Sequence, residues 1–193
     1  MNDPALPTAL TSHEGRLLLD VARTSIRVGV FGEGPLVPDP ERFPARLREP
    51  GAAFVTLELD GDLRGCIGSL EPRRSLVEDV AANAHGAAFR DPRFPPVNLE
   101  EEPFLSIHLS ILGPQVPLPV RSEQELLQEL VPGLDGLVVD AGGFRRATFL
   151  PQVWEQLPEP VAFLAHLKKK AGLTPDYWAE DLRFYRYRME EIR

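Results

Sequence analysis

The stretch Ala52–Leu70, AAFVTLELDGDLRGCIGSL, constrains the fold more than any other. Phe54 to Leu59 alternate in polarity, and Asp60-Gly61 follows at once. That pair suits a two-residue turn whose central residues need positive φ, so the stretch predicts a tight antiparallel hairpin. Side-chain parity places Arg64, Cys66 and Gly68 on one face with Val55, Leu57 and Leu59. A bulge at Gly65 or Gly68 would alter that locally.

Other segments extend the pattern. SHEGRLLLDVARTSIRVGVFG repeats apolar residues at helical spacing, with Ser12 as N-cap and Gly32 or Gly34 as stop. Residues 33–51 are Pro-rich and read as an ordered loop pinned by Leu36, Phe43 and Leu47. Ser75 and Glu78 form an S-x-x-E capping box that opens a helix, and Asp91-Pro92 closes it. FLSIHLSIL alternates apolar and polar residues as a strand. Residues 122–131 read as a short helix and GLVVDAGGFRRATFL as a second hairpin. A helix runs from Pro160 to Lys170 and stops at Gly172, and LRFYRYRM forms a final strand. Hairpins mixed with helices predict an α+β fold: an antiparallel sheet with packed helices, not a doubly wound parallel sheet.

Composition excludes several classes. With 193 residues, the chain has length for one domain or two small lobes. The net charge of -8 argues against a general polyanion binder. Two local basic clusters remain, Lys168–Lys170 and Arg183, Arg186 and Arg188; each reads as a solvated helix end or strand face. The single cysteine rules out an intrachain disulfide and any multi-cysteine metal site, and fits a reducing compartment. No signal-peptide pattern and no long apolar run is visible, so a cytoplasmic protein without a membrane span is expected.

Cys66 is the first candidate for chemistry. As a nucleophile it needs its thiolate, which the charge of Arg64 would favour, with His85 or His108 as base. As a structural residue it is a small buried apolar group. Gly65 and Gly68 either let a ligand approach the backbone or relieve crowding in the strand. In AFRDPRFPPV, three prolines hold Arg93 and Phe94 in place. Asp91 and Arg93 either line a site, with Arg93 gripping a carboxylate or phosphate, or brace the loop while Phe94 plugs the core. His13, His85, His108 and His166 show no metal-ligand spacing. No phosphate- or dinucleotide-binding motif is present, so neither a metal nor a cofactor is expected.

These blocks in this order resemble one family. LRGCIG at residues 63–68 matches the signature of the AMMECR-domain family, known in prokaryotes as AmmeMemoRadiSam system protein A. NAHGAAFRDPRFPPV, LSIHLSIL, GLDGLVV, TFLPQV and FLAHLKKKAGLTPDYW resemble its later blocks in order. The resemblance covers residues 12–190 and implies one α+β domain with two interleaved, closely associated subdomains. It implies no established activity. It does imply association with a Memo-like, dioxygenase-related protein and a radical SAM protein. Family members often carry a cysteine in the late helix, where this chain has HLKKKAGL. Three functions follow as expectations: a binding component of that system using Arg64, Cys66, Asp91 and Arg93; an enzyme using Cys66 and His85; or an RNA binder stacking bases on Tyr185 and Tyr187.

Overall fold

The computed structural model describes residues 9–193. Two compact units share the chain. Among the described residues, one comprises residues 9–112 together with Glu190–Arg193; the other runs from Gly113 to Met189.

The first unit begins with α1 (Ser12–Val30). Thr11, one residue before the expected cap, accepts from the Glu14 N–H, and Glu14 returns the bond in a capping box. Gly32, at φ 83°, ends the helix. Its N–H and that of Glu33 cap the Gly29 and Val28 carbonyls, a Schellman arrangement. The Pro-rich segment holds a 3-10 turn at Pro40–Arg42 and the one-turn α2 (Ala45–Arg48). Leu47 is fully buried there, with Leu36 and Phe43 packed against the same core.

The two-residue strands β1 (Pro50–Gly51) and β4 (Arg74–Ser75) pair with each other. Between them run β2 (Ala53–Leu59) and β3 (Asp62–Gly68), joined at Asp60-Gly61. Both turn residues have positive φ, 53° and 87°, which matches the twist of the flanking strands. Then come α3 (Leu76–Phe89), with the Ser75/Glu78 capping box, and β5 (Ser106–Leu112). β10 (Met189–Ile192) completes a four-stranded sheet in the order β10-β5-β2-β3. α1 and α3 pack on each other and on its apolar face, around Leu18, Ile26, Val55, Leu57, Val80 and Leu109.

The second unit contains β6 (Val116–Leu118), α4 (Glu123–Glu129), β7 (Gly136–Asp140), β8 (Arg146–Phe149), α5 (Pro160–Lys170) and β9 (Arg183–Tyr187). Its sheet order is β6-β9-β7-β8. Leu126, Leu137, Trp154, Phe163 and Leu167 form its core, with Trp154 stacked on Phe163 at 3.7 Å.

Three expectations change. LRFYRYRM is not one strand: it divides at Arg188, and its two parts join different sheets. Lys168 is not a solvated helix end. It is fully buried, donates to Glu123 and to the Pro175 carbonyl, and lies 5.6 Å from the Trp178 ring. Tyr187 offers no stacking face, because it is 2% exposed and its ring fills the space a side chain at Gly136 would need. Its hydroxyl bonds Thr148 and the Phe149 carbonyl, and burial pushes its pKa up to about 12. Arg186 and Arg188, on the same stretch, pair with the fully buried Asp135.

Candidate functional site

β3 is the outer strand of its sheet, and its register decides where Cys66 points. Leu59 pairs with Asp62 and Glu58 with Leu63, but Leu57 pairs with Gly65. Arg64 is therefore an extra, bulged residue. The bulge reverses the expected parity: Cys66 lies opposite Thr56, not beside Val55 and Leu57. Thr56 in turn lies opposite His108 of β5. The half-buried Cys66 thus faces away from the helices, on the polar side of the sheet. The Thr56 hydroxyl donates to its sulfur at 3.3 Å.

Gly65 faces α3 instead. A Cβ there would lie 2.2 Å from the Ala87 carbonyl oxygen. A Cβ at Gly68 would lie 2.3 Å from the Phe54 ring. At both glycines the space a side chain would need is already filled from within the fold.

The free backbone edge of β3 is closed by the segment after α3. Asp91 is buried, and its carboxylate accepts the Cys66 N–H at 2.9 Å. It also accepts the Arg93 N–H at 3.1 Å, Nε at 2.9 Å and Nη2 at 2.6 Å. The bonds from Arg93 hold this carboxyl well below the usual carboxylate range; the Cys66 N–H adds to that, and burial opposes it. Arg93 is raised in return, chiefly by its bond to Asp91, with a smaller contribution from the Cys66 sulfur. A second pair lies alongside: Glu101 accepts Arg64 Nε at 3.0 Å and Nη2 at 3.1 Å, which lowers its own carboxyl. The Phe94 ring lies near both guanidinium groups, 5.4 Å from Arg93 and 6.0 Å from Arg64. Phe94 is half-buried and does not plug the core; the apolar side chain that this segment buries after Asp91 is Val97.

The two arginines differ. Arg64 is 8% exposed and its fork is closed by Glu101, so its charge is matched within the loop rather than directed at the sulfur. Arg93 leaves 53% of its side chain in solvent.

The histidines separate as well. His85 packs between α3 and α1, against Phe89 at 4.8 Å and close to Gly29. Burial lowers its basicity, and Arg90 lowers it further. The structure does not bring it to the sulfur's side of the sheet. His108 is on that side, one strand beyond Thr56, with Nε2 3.1 Å from the Glu58 carboxylate. Thr56, Glu58 and Glu101 escaped the sequence reading. The first two become neighbours of Cys66 and His108 only through strand register. Glu101 had a faint local signal: Asn98 accepts the Glu100 and Glu101 N–H groups in a turn.

Chemically, the sulfur is contacted by a hydroxyl and, among the described residues, not by a base, and both nearby guanidinium groups are already paired. Among the described residues, no three His, Cys, Asp or Glu side chains converge as metal ligands. A cavity of about 310 Å³ lies elsewhere in this unit, between the start of α1 and β10, lined by residues such as Leu10, Leu19 and Ile192. No helix among the described residues is long and apolar enough to cross a membrane.

A family model described as AMMECR1 matches residues 19–192. The chain belongs to the AMMECR1 family. Protein MJ0810 of Methanocaldococcus jannaschii is 40% identical, covering 92% of this chain and 89% of its own. A protein of Methanothermobacter thermautotrophicus is 38% identical over 94% of both chains. The crystal structure of the uncharacterised protein PH0010 from Pyrococcus horikoshii superposes with a TM-score of 0.78 at 34% identity. That match covers 94% of this chain and 92% of that one, so the α+β fold is shared along nearly the whole AMMECR1 region.

Proposed function

We propose that this protein is a binding component rather than a self-sufficient catalyst, acting with a Memo-like protein and a radical SAM protein as the family resemblance implies. One observation carries this reading: two ion pairs, Asp91–Arg93 and Glu101–Arg64, lock residues 91–101 against the edge of β3. They present Arg93, Phe94 and the Cys66 face in a fixed arrangement. A preformed surface loses little freedom on binding, which favours recognition. A cysteine nucleophile needs a base within hydrogen-bond reach. The group within reach of this sulfur is the Thr56 hydroxyl, so the cysteine-enzyme reading takes second place.

The test mixes the purified protein with each proposed partner from the same organism and reads complex formation by gel filtration and calorimetry. A complex is expected with at least one partner, weakened tenfold or more by combining Arg93→Ala with Phe94→Ala. Absence of binding to both partners refutes the reading. An activity found without partners and abolished by Cys66→Ala would favour the enzyme instead.

A further inference from the structure

We infer that the outward edge of the Arg93 guanidinium is a seat for the carboxylate of a small molecule held beside the Cys66 sulfur. This deepens the binding reading above and rests on it.

A guanidinium offers two forks of parallel N–H groups, one on the Nε/Nη2 side and one on the Nη1/Nη2 end. Asp91 occupies the side fork of Arg93. The end fork bonds no other described residue, and the side chain is 53% exposed. Asp91 is itself buried and fixed by the Cys66 N–H, so the guanidinium is aimed from behind by a rigid anchor. Arg93 Nη2 and the Cys66 N–H bond the same carboxylate oxygen, Oδ2. Nη2, one arm of the end fork, therefore lies near the backbone N–H of residue 66. The Phe94 ring supports the planar group from one side.

Charge selects the ligand. Asp91 already balances the single positive charge, and Glu101 balances Arg64. A monoanion adds one negative charge to this cluster and a phosphate dianion adds two. A planar monocarboxylate fits the fork and leaves the smaller excess of negative charge.

The sole cysteine makes this measurable. Iodoacetate and iodoacetamide alkylate it by the same step: the thiolate displaces iodide, a C–S bond forms and the C–I bond breaks. They differ in that iodoacetate carries a carboxylate. The ratio of the two rates on the folded protein is compared with the ratio on the same chain in urea. The folded ratio is expected to exceed the unfolded one at least fivefold. Arg93→Gln should return it to the unfolded value, and Arg93→Lys, which keeps the charge without the fork, should lose most of it. Acetate should slow iodoacetate more than inorganic phosphate does at equal ionic strength. Equal ratios in folded and unfolded chains, or a preference that survives Arg93→Gln, overturn the inference. If the folded sulfur reacts with neither reagent, the Arg93 side-chain resonance in a ¹⁵N spectrum decides. A saturable shift with acetate is required, and no shift overturns the inference. The assay uses the protein alone, so carboxylate preference and partner binding succeed or fail separately.

Discussion

At the scale of single residues, Asp91 organises the candidate site. Its carboxylate joins a strand-edge N–H to an arginine side chain, and both connections depend on its charge. Asp91→Asn replaces one acceptor oxygen with a donor and should cost about 2 kcal/mol, read as a lower urea midpoint. The pH dependence has a definite sign. The folded carboxyl titrates below its unfolded value of about 3.9. Its contribution is therefore complete above that value and is lost as pH falls through the folded pKa. Wild type should lose this increment of stability below about pH 4, and Asp91→Asn should not. Lys168 makes a second residue-scale case. Lys168→Met keeps the volume but leaves the Glu123 carboxylate and the Pro175 carbonyl without their donor, so it should cost about 2 kcal/mol. Lys168→Ala leaves a cavity and should cost about 3 kcal/mol in the same measurement.

At the scale of elements, legibility follows the range of the interaction. The Ser75/Glu78 box, the Asp60-Gly61 turn and the Gly172 stop were all readable, because each is set by residues within a few positions of one another. The glycines marked where a bulge could form, but not that one forms at Arg64, since the pairing of Leu57 with Gly65 depends on how β3 packs on α3. That single extra residue moved Cys66 to the other side of the sheet and separated it from His85. Asp91 and Arg93 were visible as candidates, yet their partners became visible only in three dimensions. The glycines turn this into a test. Gly65→Ala forces a methyl group into the Ala87 backbone and should cost about 3 kcal/mol. Gly34→Ala meets nothing within 4 Å and carries no positive φ, so it should be neutral or stabilise by about 0.5 kcal/mol. Thermal melts of the two variants give the comparison.

At the scale of the whole molecule, the connectivity matters most. The sheet that carries Cys66 takes its other edge strand, β10, from residues 189–192. Glu190 accepts the Leu10 N–H, and Glu191 accepts the Ser110 hydroxyl on β5. Ile192 packs 3.2 Å from where a Cβ at Gly15 would lie. Removing residues 189–193 should therefore raise hydrogen exchange in β5 and the first turns of α1, with little change within β7 and β9. Uniform protection across all four elements would contradict this.

The division of the last strand at Arg188 also bears on synthesis. A ribosome delivers α1, β2, β3 and β5 early, but β10 emerges only after all of residues 113–188 have been made. Until then the nascent sheet keeps β5 open, with an unpaired backbone ladder available to any passing strand. Prematurely terminated chains would keep that edge permanently and should be the species that proteases and chaperones remove.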